Sequence, residues 1–415
     1  MHRSSMFGIK LDLKRSKGAF IYDLGRNEFL LDLFGLYSSL PLGYNHPIFD
    51  EDSFKEEILA AAHVKIPNCE MATPEGDRFL EAFSNHPSMK PFKYFHFACT
   101  GALAIEAAIK TSIDHRGSKR PRVITFKESF HGINGYGGIL THRFAGVLKR
   151  LEGFPGHYWG EPLDNPVVRY RAGEKYVDEG LRAGVLERIR AELRNDPERN
   201  VAAVLVEPIQ CTAGDQYFDL EFLRNLRALC TEFDVPLVFD EVQTGFGATG
   251  TIWYFEQCGF VPDIVAFGKK TQTSGIMVRE PFGKIFDTPV RLEVTWDGDV
   301  LDMIRCRYVL EAYRRFKILD NVDVRSDFIG RHLRSIGGIQ NVRNAGLLFA
   351  FDFDTTYDRD AYVRAMRERQ TVVLATQERT VRWRPHLAFT ADETELAVTR
   401  TAEALSALTQ TRGTA

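Results

Sequence analysis

Apolar residues along this chain fall into short runs separated by amphipathic stretches. Runs begin near residues 94, 123, 201, 235 and 264, each closed by turn residues, as buried strands are. Between them, stretches such as 101–110, 181–195 and 220–233 repeat apolar positions at helical spacing. That alternation predicts an α/β fold built on a parallel, doubly wound sheet. Past Trp296 the pattern changes. Helices over 303–316 and 322–336, strands over 346–352 and 380–383, and a closing helix over 392–409 predict a smaller α+β lobe. Ahead of the sheet, 19–22 and 29–32 are β-like and 41–47 is rich in Gly, Pro and Asn. The expected division is an N-terminal segment, 1–50, joining the small domain, then a large domain, 51–300, and a C-terminal small domain, 301–415. A charged insertion at Gly153–Lys175 has no periodicity and is read as a loop near the mouth of the site.

The ends of two of these runs carry the chemistry. Lys269 follows Ile264–Gly268, and Asp240 follows Val235–Phe239. In open α/β sheets, ligands bind beyond the carboxyl ends of the strands. A lysine can form an imine with an aldehyde, and a carboxylate can hold a pyridine nitrogen protonated, which is how pyridoxal 5'-phosphate (PLP) is used. Gln243 is placed to donate to the cofactor's phenolic oxygen, Val242 to pack on one ring face, and Phe130, beside His131, to stack on the other. Thr100, Gly101 and Ala102 open a helix, where free N–H groups and the dipole attract phosphate. Each residue alone also reads as an ordinary turn or loop residue. The combination carries the assignment.

Composition narrows the alternatives. The 415 residues are 44% hydrophobic, enough for a large core, and the formal net charge of −3 gives no nucleic-acid surface. The opening residues lack a signal-peptide core, and no apolar run approaches membrane-spanning length. Cysteines at 69, 99, 211, 230, 258 and 306 form no Cys-x-x-Cys pair and read as reduced thiols of a cytoplasmic protein. The histidines form no metal-ligand cluster. A nicotinamide-dependent dehydrogenase is disfavoured because no Gly-x-Gly-x-x-Gly follows an early strand.

Asp240–Gly245, Val265–Lys270, Gly101–Ala104 and Glu207–Gln210 together resemble the class III, fold type I aminotransferases, and among them the lysine 6-aminotransferases (lysine ε-aminotransferases). The resemblance implies a large domain with a mostly parallel seven-stranded sheet plus a smaller α+β domain. It also implies PLP, an amino acid substrate and a homodimer with a shared active site, without nucleic-acid or membrane binding. By the same resemblance Lys269, rather than Lys270, is the Schiff-base lysine, and Glu207 belongs with the cofactor contacts. Thr295 reaches the phosphate of the other subunit's cofactor, and Arg382 grips the substrate's α-carboxylate.

Departures from the family pattern concern the substrate. Ile133 stands where the lysine enzymes carry an arginine that pairs with a second carboxylate. A charge-assisted contact of that kind is worth about 1.5–3 kcal/mol. Arg143 or Arg279 could replace it. Thr212 stands where a glutamate would neutralise the carboxylate-binding arginine, and Glu293, Asp297 and Asp299 occupy neutral positions. These changes favour chemistry at Cα of an α-amino acid, through a quinonoid, and a pocket attractive to cations. The leading expectation is amino-group transfer. The alternative is a non-transaminating enzyme of natural product biosynthesis, performing γ-elimination, replacement or carbon–carbon bond formation on a sulfonium amino acid such as S-adenosylmethionine. A catalytically silent binding partner is disfavoured by the intact Lys269, Asp240 and Gln243.

Overall fold

A computed structural model describes residues 7–67, 71–143, 161–171 and 173–413. Cys69 and most of the first half of the Gly153–Lys175 insertion (153–160), with position 172, lie outside the described residues. The chain divides into two compact units. A central unit comprises Glu57–Gly245 and Thr251–Leu310, and a terminal unit comprises Met1–Glu56, Phe246–Gly250 and Glu311–Ala415.

The central unit is built on a six-stranded sheet. Its spatial order is Tyr94–Ala98, Ser274–Val278, Ile264–Phe267, Leu237–Asp240, Val201–Val206 and Arg122–Ile124. Only Ser274–Val278 pairs antiparallel with its neighbours; the other pairings are parallel. The sheet is therefore mostly parallel, as expected. Where a seventh strand would extend the Arg122–Ile124 edge, the described residues give a single parallel bridge, Phe126 to Leu163. The middle strands are buried along their whole length, which is why they read as continuous apolar runs rather than alternating ones.

Helix Gly101–Arg116 lies on one face of this sheet. Thr100 caps it, its Oγ1 accepting from Leu103 N at 3.3 Å, and Gly117 closes it in the left-handed region (φ +65°). Ala104, Ile105, Ala107, Ala108 and Ile109 join Val123, Ala203, Leu205, Val238, Ile264, Ala266, Ile276 and Val278 in one core. The alanines bring the helix axis close to the strands. On strands of period two, the intervening residues point the other way. There Phe267 meets Phe83 at 5.4 Å and Trp253 at 5.9 Å, and Phe79 meets Phe97 at 5.0 Å between ring centroids. Helix Pro74–Ser84, which the sequence pattern did not single out, supplies Phe79 and Phe83.

In the terminal unit, strands Gln340–Ala345, Leu348–Asp352, Thr380–Trp383 and Leu374–Thr376 form an antiparallel sheet. Hairpin Phe20–Asp23 and Glu28–Asp32 pairs with Thr371–Val372 through the parallel register Leu31 to Thr371. Helices Ile318–Ser335, Thr356–Glu368 and Ala391–Gly413 complete the α+β arrangement. Near the hairpin, Gly35 takes φ +54°, and a Cβ there would sit 2.1 Å from Arg384 O, so only glycine fits.

Candidate active site

Strands Leu237–Asp240 and Ile264–Phe267 run side by side, with Asp240 opposite Ala266. Their carboxyl ends open into a cavity of about 330 Å³. Asp240, Lys269, Phe130, His131, Glu207 and Gln243 line it, together with Gly101, Ala102, Ile105, Gly132, Ile133 and Val242. Most of the sequence-derived cofactor set therefore converges on one space. Of the two adjacent lysines, Lys269 lines the cavity whereas Lys270 is 2% exposed and does not. Lys269 holds φ +56°, sparsely populated for a residue with a Cβ, and its carbonyl accepts from Gln272 N at 2.9 Å.

Asp240 is held from two sides. Its Oδ1 accepts from Val242 N at 3.1 Å, and its Oδ2 lies 2.9 Å from Nδ1 of His131, whose side chain has no solvent exposure. Nε2 of that ring is 3.5 Å from Thr125 Oγ1. This pairing spans 109 residues of sequence. The backbone of Phe130 is fixed by a carboxylate, since Glu207 Oε1 accepts from Phe130 N at 2.8 Å. Two glycines keep the space open. A Cβ at Gly101 would approach Val242 Cγ1 to 2.9 Å, and one at Gly132 (φ +102°) would come within 3.2 Å of Ala102 Cβ.

Five site residues named from sequence do not line this cavity: Thr100, which caps helix Gly101–Arg116 at its edge, and Thr212, Glu293, Thr295 and Arg382. Glu293 is exposed and turned onto its own loop, where its Oε2 accepts from Arg291 N at 2.9 Å and Leu292 N at 3.0 Å. Burial works against its ionisation, but those N–H groups hold its carboxyl below the usual range. Asp297 accepts from Val294 N at 2.8 Å, and Asp299 Oδ1 from Leu301 N at 2.9 Å at the start of helix Val300–Arg315. The acidic substitutions thus bind local backbone N–H groups. Arg382 belongs to the terminal unit, buried within Thr380–Trp383 opposite Ala350 and Leu374.

Neither arginine considered as a replacement at position 133 lines the cavity. Arg143 Nε donates to Thr212 O at 3.0 Å, and its Nη1 lies 3.7 Å from Glu128 Oε2. Arg279 pairs with Asp263 at 3.2 Å, before the first residue of the Ile264–Phe267 strand and so at the end away from Lys269. Ile133 itself is 72% exposed. Among the described residues, no group of His, Cys, Asp and Glu is arranged to hold a metal.

The residues beyond sequence reach were Thr125, against the His131 ring, and Ile105, in the cavity wall. A buried threonine is silent in a linear pattern, and Ile105 reads equally well as helix core.

The class-III aminotransferase family model matches residues 3–405. L-lysine-epsilon aminotransferase of Mycobacterium tuberculosis is 34% identical over 421 residues, covering 97% of this chain and 92% of that protein. The protein of the same name from Amycolatopsis lactamdurans is 33% identical, covering 98% and 93%. Among solved structures, lysine aminotransferase from M. tuberculosis in the internal aldimine form superposes with a TM-score of 0.86 at 33% identity, covering 96% of this chain and 95% of that one. Ornithine aminotransferase from Toxoplasma gondii, at 22% identity and a TM-score of 0.81, shares the fold.

Proposed function

The chain belongs to the class III aminotransferases, and from that premise we propose that it moves the amino group of an α-amino acid by chemistry at Cα. It is a PLP-dependent enzyme of this transferase family. One observation carries the site assignment. A lysine and a carboxylate leave adjacent parallel strands in register and line the same cavity.

The residues fit the cofactor. The cavity offers an amine, a buried carboxylate backed by an imidazole, and a helix N-terminus kept clear of side-chain bulk by Gly101. When bound, PLP supplies an electron-withdrawing ring that stabilises negative charge at the substrate's Cα. Asp240 holds a proton on the ring nitrogen. The N–H groups of Gly101 and Ala102, with Thr100, bind the phosphate, and Thr295 of a second subunit adds a hydroxyl. Phe130 and Val242, which line the cavity, would flank the cofactor's ring. Lys269 Nζ would take and return the Cα proton, the role of a lysine general base. Arg382 is proposed as the α-carboxylate anchor on family likeness alone.

Family membership favours transfer over elimination or carbon–carbon bond formation. Ile133 in place of an arginine supports a ligand other than a dicarboxylate, and Thr212 in place of a glutamate supports an α-amino acid held by its α-carboxylate. A place in specialised biosynthesis belongs with the S-adenosylmethionine alternative. A homodimer is supported by exposed apolar side chains at Leu59, Val64, Met71, Val290, Val294 and Trp296, the first and last stretches adjoining where Lys65 Nζ lies 5.3 Å over the Trp296 ring. Buried thiols outside any disulfide at Cys211, Cys230, Cys258 and Cys306 suit a cytoplasmic setting, and among the described residues no helix is long and apolar enough to cross a membrane.

The test mixes purified holoenzyme in turn with lysine, ornithine, glutamate and S-adenosylmethionine, following the visible absorbance of the bound cofactor and the products. Transfer requires one of the first three to bleach the band and leave an oxo acid. A response to S-adenosylmethionine alone, without an oxo acid, rejects it.

A further inference from the structure

The turn bearing Phe130 and His131 is fastened at several points. Ser129 Oγ donates to Leu140 O at 2.8 Å, and Glu106 Oε1 accepts from Gly137 N at 2.8 Å. The fastening on the backbone of His131 itself belongs to Thr141, which is 7% exposed. Its Oγ1 accepts from His131 N at 2.9 Å and donates to Gly132 O at 2.6 Å, with Gly137 O at 3.0 Å. A hydroxyl has one proton and two lone pairs. The nearer carbonyl takes the proton, and a lone pair receives the His131 N–H. The two bonds bracket the His131–Gly132 dipeptide, whose second residue sits at φ +102°. The side chain between them is the one that reaches Asp240 at 2.9 Å.

We propose that Thr141 is a positioning residue for the Asp240 centre. Its hydroxyl fixes the backbone of His131 so that the imidazole holds the carboxylate which, on the reading above, faces the cofactor's ring nitrogen. Nothing in the cavity touches Thr141 directly; it does not line that space. Valine keeps the shape of threonine but neither accepts nor donates. It leaves a buried N–H without its acceptor and frees the Gly132 carbonyl, so the imidazole loses its fixed place beside Asp240.

The experiment compares wild type, Thr141→Val, Thr141→Ser and Asp240→Asn. Two quantities are read: the dissociation constant of PLP from the apoprotein, and the pH midpoint at which the visible absorbance of the bound cofactor titrates. Thermal melting reports folding separately. Thr141→Val is expected to raise the dissociation constant about tenfold and to move the titration midpoint in the direction set by Asp240→Asn. Thr141→Ser is expected to restore both. If Asp240→Asn leaves the midpoint unmoved, the reading of Asp240 is wrong and the proposal falls with it. If Asp240→Asn moves the midpoint while Thr141→Val lowers only the melting temperature, Thr141 is merely structural and the proposal is overturned. Should the valine variant not fold, Thr141→Ala, which places no methyl against the Gly132 carbonyl, is judged by the same two quantities.

Discussion

Glu241 lies next to Asp240 and is fully buried, at 1% exposure. Its Oε2 accepts from Tyr254 N at 2.7 Å and Thr244 Oγ1 at 3.1 Å, and its Oε1 from Phe255 N at 2.9 Å. Burial nevertheless outweighs these three donors and pushes its carboxyl up from the usual 4.5 to about 7. Between those values the folded state keeps a proton that the unfolded chain has released. Stability therefore falls as pH rises through that window, and the contribution is present in full only below about pH 4.5. At about 1.36 kcal/mol per pH unit, the loss is roughly 3 kcal/mol by the time the carboxyl is ionised in both states. Glu241→Gln cannot titrate. It faces one N–H with another, a pH-independent penalty of about 1–3 kcal/mol. The assay is urea unfolding of wild type and variant at several pH values from 4.5 to 8, followed by fluorescence of the neighbouring buried Trp253. Subtracting the two curves cancels the other titrating groups. Wild type is expected to lose roughly 3 kcal/mol relative to the glutamine variant across the range. A flat difference, or one of opposite slope, would show that the three hydrogen bonds outweigh burial and refute the reasoning.

Lys269→Ala removes the amine that lines the cavity. Turnover should drop by roughly 10²–10⁴ or more, and the visible band of the covalently held cofactor should vanish while circular dichroism is unchanged. Gly101→Val drives a side chain toward Val242, 2.9 Å from where Cβ would sit, and should weaken PLP retention in equilibrium dialysis. Gly184→Ala, in helix Glu179–Arg194 with nothing within 4 Å of its Cβ, should leave retention unchanged. Asp263 is 1% exposed and binds Arg227 at 2.6 Å, Arg279 at 3.2 Å and Leu237 N at 2.9 Å. Asp263→Ala should cost about 3–5 kcal/mol in urea unfolding, with turnover per folded molecule preserved.

The strands that were legible are those whose burial on both faces left uninterrupted apolar runs, such as Val201–Val206 and Ile264–Phe267. Ser274–Val278 was not foreseen because only a 3₁₀ turn, Lys269–Thr271, separates it from the preceding strand. The alternation rule looks for a crossover helix, which an antiparallel neighbour does not need. Gln340–Ala345 pairs with a single strand and is largely polar, so it carries no apolar run. At the site, Lys269 and Asp240 were legible because strand ends are marked by composition. The bond from His131 to Asp240 was not, since it depends on how two strands are ordered in space. Equally invisible was the use of Glu293, Asp297 and Asp299 on local N–H groups, because a carboxylate's partner is chosen by loop geometry.

The interleaving of the two units has a consequence for how the chain is made. Apart from the five residues Phe246–Gly250, the partner of Met1–Glu56 is Glu311–Ala415, so 254 residues, 57–310, must be synthesised before that partner segment begins to emerge. At about 5–20 residues per second, that interval is roughly 10–50 s. Throughout it the hairpin strand Glu28–Asp32, whose Leu30 and Leu31 are fully buried in the finished protein, waits for Thr371–Val372. An apolar strand edge held open for that long is an invitation to aggregation. Yield in a heterologous host should therefore depend on holdase chaperones and on slow induction more than on the stability of the completed fold. A fragment ending at Leu310 would carry every residue found lining the cavity, with its first 56 residues left unmatched.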